Sequence, residues 1–310
     1  MNWTSFAAAA SLTLVSTTAC AQTPTAPAWQ EGVLEAAADL LEPNYIYEDR
    51  AQALAAFLRE DPDRYAHIAD RDAFARAVTA DFHAMVQDAH LRVLHDPEVV
   101  AETPSEQPRR RSACASGAVE HEILADNTGY MSVPSFRGDD SYVAGIDTAF
   151  AALAGTDALI LDLRNNCGGG PHIVRHLSTY LFADLTHLTN TEMRGQPVRE
   201  RWTYEDVPGE RYLDRPVLVL TNGQTFSAAE SFTFGLKVTD RVLTVGERTG
   251  GGGHFGGMER LSPDFTLFVP VGRTFDPRTG DGWEAEGIEP DLPADSADAL
   301  DAALTWLAER

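Results

Sequence analysis

The sequence predicts an α/β core preceded by a small helical domain. Two observations carry that prediction. From residue 117 onward, short apolar runs alternate with amphipathic stretches across glycine-bearing turns; residues 28–90 instead hold apolar side chains at helical spacing. A third bounds the answer: 310 residues at 44% hydrophobic and 23% charged are enough to bury one sizeable core with a smaller domain attached.

In chain order, Trp29 to Leu41, Ala51 to Leu58 and Ala73 to Val86 read as helices, broken at Pro43, at Asp61-Pro62 and at Asp70. From Asp88 through His90 to Leu94 the period changes towards a strand. These elements give a helical N-terminal domain over 28–100, and the polar, proline-bearing stretch 101–115 reads as a linker. The α/β core is expected over 116–310. Its strands are Gly129 to Val133, Ala158 to Leu163, Arg215 to Leu220, 241–246 and 265–271. Its helices are Tyr142 to Leu153, one from about Pro171, one from about Ser227, and a closing one from Ala297 to Leu307.

The first residues look like an export signal. Residues 5–15 are apolar and too short to span a bilayer, and Ala19-Cys20-Ala21 offers an A-x-A cleavage pattern. A signal peptide over 1–21 and a periplasmic or extracellular location follow, with lipidation at Cys20 as the alternative that would anchor the chain to a membrane. Beyond it, Cys114 and Cys167 can pair in an oxidising compartment or remain two small buried hydrophobes; spacing does not decide. With 47 acidic against 24 basic side chains the formal net charge is −23, which argues against a nucleic-acid partner.

Two turns can carry chemistry. Ser227 follows the strand Leu218-Val219-Leu220 and opens a helix. Ser227-x-x-Glu230 is a capping box, a sufficient structural reason for a serine there. The same position surrounds a hydroxyl with unpaired N–H groups and the positive end of a helix, as an attacking nucleophile requires. The second turn, Asp162-Leu163-Arg164-Asn165-Asn166-Cys167-Gly168-Gly169-Gly170, can present bare backbone N–H groups to an oxyanion. No Gly-Lys-Ser/Thr follows it, so it is not a phosphate loop. His172 and His176 share a helix face, but no glutamate stands beside them in a zinc-peptidase pattern, and neither a metal nor an organic cofactor is expected.

Together these turns are more specific than either alone. Asp-Leu-Arg-Asn-Asn-x-Gly-Gly, then Thr-x-Ser-Ala-x-Glu, then Gly246-Glu247-Arg248-Thr249 and Gly287-Ile288-Glu289-Pro290-Asp291 resemble, in order, the motifs of the tail-specific (carboxyl-terminal processing) serine peptidases. The chain looks most like the tricorn-like and interphotoreceptor retinoid-binding-protein-like branch. The resemblance covers about residues 28–310. It implies a crotonase-like (ClpP-like) spiral α/β core and hydrolysis of peptide bonds through an acyl-enzyme on Ser227, with Gly168 or Gly169 and Ala228 as the oxyanion hole. Only about thirty residues separate His90 from the core strands, too few for the PDZ domain of the processing peptidases, so short peptides or loosely folded segments are the expected substrates.

The processing peptidases use a lysine base at the position held here by Gly252. Lys237 is the only lysine in this chain, ten residues past Ser227, or about 15 Å along a helix. A histidine base is therefore expected. His90 matches the tricorn histidine, with His254 as the alternative. Glu284 matches the orienting glutamate, with Glu286 as the fallback; Ala89 replaces the serine that precedes the histidine in tricorn. Two rival readings use the same fold: a non-catalytic binding protein for a retinoid or lipid, and a small-molecule esterase.

Overall fold

The computed structural model describes residues 25–96, 114 and 117–310. The expected signal peptide, the Cys20 alternative and all of the expected linker except Cys114 lie outside the described residues.

Three helices come first: α1 (Ala28–Asn44), α2 (Glu48–Glu60) and α3 (Arg71–Val86). Asp70 caps α3 by accepting the Ala73 N–H at 2.7 Å. Pro43 sits inside the last turn of α1 rather than before it, and the helix ends at the next residue, Asn44, as Tyr45 N–H closes on the Leu41 carbonyl. The strand expected from Asp88 starts late, as β1 (Arg92–His95). The reason is local: Asp88 Oδ1 accepts the backbone N–H groups of His90 (3.0 Å) and Leu91 (3.3 Å), which folds 88–91 into a turn.

The expected β3 (Thr128–Ser132), α4 (Asp140–Leu153), β4 (Ala158–Asp162) and α5 (Pro171–Thr179) form, joined by three strands that the sequence reading did not mark: β2 (Glu120–Ile123), β5 (His187–Met193) and β6 (Arg199–Trp202). Then come β7 (Val217–Thr221), α6 (Ala228–Lys237), β8 (Leu243–Gly246), β9 (His254–Ser262), β10 (Phe265–Phe275), β11 (Leu292–Pro293) and α7 (Ala299–Ala308).

Two sheets result. The first runs β2-β3-β4-β7-β8-β11, parallel except where β2 meets β3. Its central strands are buried on both faces, and their side chains alternate between two cores. Leu159, Leu161, Val217 and Val219 pack under α4, α5 and α6. Ile160, Leu218 and Leu220 face the other way, against Ala299 and Ala303 of α7. The second sheet is antiparallel, in the order β1-β10-β5-β6 with β9 also on β10. The N-terminal helices bury Leu41, Leu54, Phe74 and Phe82 with Phe265, Leu267 and Val269 of β10, so they share a core with a strand from the distant C-terminal part of the chain. That packing brings the α3–β1 turn beside the carboxyl ends of β4 and β7, where ligands of open α/β sheets gather.

Candidate active site

Ser227 lies between β7 and α6 at φ 56°, ψ −117°, a left-handed conformation that costs a non-glycine residue energy and that recurs where a nucleophile is lifted out of a strand-to-helix turn. Glu230, fully buried, holds it there. One of its oxygens accepts the Ser227 N–H at 2.8 Å and the Gly252 N–H at 2.8 Å; the other accepts the Gly251 N–H at 2.7 Å and the Thr249 hydroxyl at 2.6 Å. Burial pushes the Glu230 carboxyl up, and these four donors oppose that shift. The capping box legible in the sequence is thus also the clamp between the serine turn and the glycine loop, a role the sequence reading missed; the second half of the clamp depends on tertiary packing.

The two turns are stitched together by backbone: Phe226 N–H donates to the Asn166 carbonyl at 2.9 Å. Gly168 (φ 89°) must be glycine, because a Cβ there would come within 2.7 Å of the Ala228 nitrogen and 2.8 Å of Ser227 Cβ. Its N–H, however, donates to Asn166 Oδ1 at 2.8 Å and is not free for a substrate. Gly169 and Ala228 line the same cavity of about 250 Å³ as Ser227, and among the described residues neither N–H donates elsewhere. Of the three expected oxyanion donors, Gly168 is thereby turned into support for the other two.

His90 is brought to this place from far upstream. Its ring lies 4.5 Å from that of Phe226, the residue before Ser227, and 5.2 Å from that of Phe268. A Cβ on Gly252 would approach His90 Cε1 to 2.7 Å, so the imidazole fills the space a side chain at 252 would need. Burial holds the imidazole well below its ordinary range, at about 3, against the opposing pull of Asp88. His90 Nδ1 is enclosed with no hydrogen-bond partner among the described residues.

His254 lines the cavity as well. Its Nδ1 meets Asp88 Oδ2 at 2.7 Å, its Nε2 lies 3.4 Å from the Tyr47 hydroxyl, and its backbone N–H donates to Glu284 Oε2 at 2.7 Å. Glu284 also receives the Ala89 N–H at 3.4 Å. Burial, then the charge of Asp88, push the Glu284 carboxyl up to about 7. Asp88 is buried too, yet its carboxyl is held below the ordinary range because the contact and charge of His254 outweigh burial. The two carboxylates thus divide the work: Asp88 stays ionised and Glu284 titrates near neutrality. Asp88 was not singled out in the sequence, although an Asp two residues before a histidine is a recognisable turn signal.

Glu286 is exposed and away from the histidines, its carbonyl accepting Arg248 at 3.0 Å. Lys237 pairs with Asp291 and donates to Thr244 Oγ1 at 3.2 Å, at the far end of α6. His176 is held by Asp147 at 2.6 Å. Asp88, His90 and Glu284 bring ligand atoms within 4.8 Å of one another, close enough for a metal ion. The donor set does not suit one, because both Asp88 oxygens are already filled: Oδ1 by His90 and Leu91 N–H, Oδ2 by His254 and by the Tyr45 hydroxyl at 3.0 Å.

The fold has close likenesses among solved structures. A lipoprotein from Streptococcus agalactiae superposes with a TM-score of 0.64 at 20% identity, covering 91% of this chain and 96% of that one. The photosystem II D1 C-terminal processing protease does so with a TM-score of 0.57 at 18% identity, covering 87% of this chain and 94% of that one. By sequence, the carboxyl-terminal-processing protease of Synechocystis sp. is 33% identical over 137 residues, 44% of this chain and 31% of that protein. The chloroplastic C-terminal processing peptidase of Tetradesmus obliquus is 28% identical over 221 residues, 66% of this chain and 45% of that protein. The chain thus matches less than half the length of these relatives. Residues 26–126 match the N-terminal domain of Peptidase S41 in eukaryotic IRBP. Residues 127–294, more than half of the chain and including Ser227, Glu230, His254 and Glu284, match Peptidase family S41, and the protein belongs to that family.

Proposed function

We propose that the protein is an exported serine peptidase that hydrolyses peptide bonds through an acyl-enzyme on Ser227. The observation that carries this reading is the setting of Ser227: a strained helix N-terminus, clamped by Glu230, sharing one cavity with the Gly169 and Ala228 amides. His90 takes the serine proton as the hydroxyl attacks the scissile carbonyl, and returns it to the leaving amine. The Ala228 and Gly169 N–H groups hold the oxyanion, and water then releases the acyl group. His90 suits the base role because its imidazole occupies the volume beside Gly252, where the processing peptidases that the sequence resembles carry their lysine. The protonated imidazole forms beside Asp88, whose charge opposes the effect of burial without overcoming it, and within 4.8 Å of Glu284. The disulfide between Cys114 and Cys167 supports an oxidising, exported location.

One observation favours a second base. His254 lines the cavity and has its Nδ1 on a buried carboxylate, the arrangement in which Asp orients His in a catalytic triad. Its Nε2 is within 3.4 Å of Tyr47 OH, which argues that this ring is held as structure. Fluorophosphonate labelling and hydrolysis of quenched peptides by the wild type, Ser227→Ala, His90→Ala and His254→Ala decide. Labelling is expected in the wild type, none in Ser227→Ala, and at least about 10³-fold slower labelling in His90→Ala than in His254→Ala. The reverse order of the two histidines assigns the base to His254; equal labelling of wild type and Ser227→Ala ends the proposal.

A further inference from the structure

Acidic side chains outnumber basic ones 47 to 24 in this chain, yet among the described residues no Asp or Glu lines the cavity beside Ser227. Its charged lining is Arg175, Arg201 and, when protonated, His254. Arg201 projects from β6 across its hairpin partner β5, with Nε donating to Thr191 Oγ1 at 3.1 Å. Arg175, on α5, is fixed by Nε to the Trp202 carbonyl at 2.6 Å and by one Nη to the Thr203 carbonyl at 3.3 Å, with its guanidinium 4.0 Å over the Tyr204 ring. Neither arginine is within ion-pair distance of a carboxylate among the described residues, unlike Arg59, Arg164 and Arg273; Arg211, Arg215 and Arg241 share that lack, but each spends its guanidinium on backbone carbonyls, whereas Arg201 has only the Thr191 hydroxyl. Burial, then the charges of Arg199 and Arg175, lower the Arg201 pKa, so this cation is uncompensated. Two half-buried, pre-oriented guanidinium groups without an acid are costly to hold unless a ligand supplies the anion.

We infer that Arg201, assisted by Arg175, forms a specificity subsite that binds a carboxylate of the peptide substrate next to the scissile bond. The inference rests on the peptidase reading of Ser227. Two sources share this chemistry: an Asp or Glu side chain inside the substrate, or its C-terminal carboxylate. A protein whose surface is strongly acidic thereby selects an acidic group through a local reversal of its field.

The test is a set of internally quenched peptides carrying Glu, Gln or Lys at each position around the cleavage site, each made with a free and an amidated C-terminus. The expected result is a preference of about tenfold or more in kcat/KM for Glu over Gln at one position, or for the free over the amidated end, weakened at about 0.5 M salt. The first outcome names a side chain as the ligand and the second a chain end. Arg201→Gln should bring the ratio to about one, Arg201→Glu should turn it towards Lys, and Arg201→Lys should retain part of it. A wild type with both ratios within about twofold, or ratios unchanged in Arg201→Gln, overturns the subsite. Fluorescence anisotropy of the same peptides on Ser227→Ala separates the two readings. Preference retained there without any cleavage by the wild type sinks the peptidase alone; equal binding of Glu and Gln peptides and of both chain ends sinks the subsite.

Discussion

At the scale of single residues, the site turns on two carboxyl groups that share one buried neighbourhood and resolve their repulsion unequally. Asp88 receives four donors and keeps its charge; Glu284 is left with two backbone N–H groups, one of them long, and stands near 7. A carboxyl raised in this way is still protonated below neutrality and becomes an anion only as pH rises through about 7. Glu284 can stabilise an imidazolium at His90 only as the anion. Hence kcat/KM should increase with pH on a limb centred near 7, and Glu284→Gln should lower it by about 10²-fold or more and flatten that limb. A Gln variant that loses activity but keeps the limb would assign the titration to another group. His90 itself, at about 3, is neutral over this whole range, so its own protonation does not set the limb.

At the scale of elements, function sits in loops that the strands and helices merely deliver. The parallel strands β4 and β7 were legible because strands buried on both faces read as unbroken apolar runs, and Ser227 and the glycine turn could be placed at their ends. The second sheet was largely hidden. Strand β9 (His-Phe-Gly-Gly-Met-Glu-Arg-Leu-Ser) has two internal glycines and an irregular burial pattern; β5 and β6 are rich in polar and charged residues. Each is a strand because β10 or its hairpin partner pairs with it, a tertiary cause that no local pattern displays. The same limit hid half of Glu230: its bond to Ser227 is a three-residue spacing, whereas its bonds to Gly251 and Gly252 span the chain from α6 to the loop before β9. Glu230→Gln replaces one acceptor oxygen with an NH₂ that faces N–H donors. It should cost about 1–3 kcal/mol of stability and at least about tenfold in kcat/KM. The loop admits no Cβ at Gly252, since it would lie 2.5 Å from the Phe226 ring as well as against His90. Gly252→Ala should therefore lower kcat by displacing His90 while the circular dichroism spectrum stays native; unchanged kcat would show that the imidazole has room to move and that its place beside Gly252 is incidental.

For the molecule as a whole, the site is a junction. His90 comes from the turn after the N-terminal helices, Ser227 and Gly169 from the end of the parallel sheet, and His254 and Glu284 from the loops at the start of β9 and after β10. No one unit holds the full set, so alignment depends on what ties the units together. One tie is covalent. Cys114 and Cys167 are bonded, with Cα atoms 5.4 Å apart and a separation of 53 in sequence, and Cys167 directly precedes Gly168 and Gly169. The bridge thus fastens the start of the core to the glycine turn. In the chain-entropy account, closing a loop of that length stabilises the fold by about 4 kcal/mol. Its position adds a functional effect, because a released Cys167 leaves the 166–170 turn held by Asn166, through its bonds to Val133 and Gly168 and its carbonyl to Phe226, and by the Phe136 backbone, which bonds Gly168 and Gly170. Reduction with dithiothreitol, and separately the double variant Cys114→Ser with Cys167→Ser, should lower Tm by several degrees and reduce kcat, whereas the reductant should do nothing further to the double variant. A Tm that falls with kcat unchanged would make the bridge a staple alone. A Tm within about 1 °C of the oxidised protein would mean that the strand and turn contacts already supply the rigidity assigned to it.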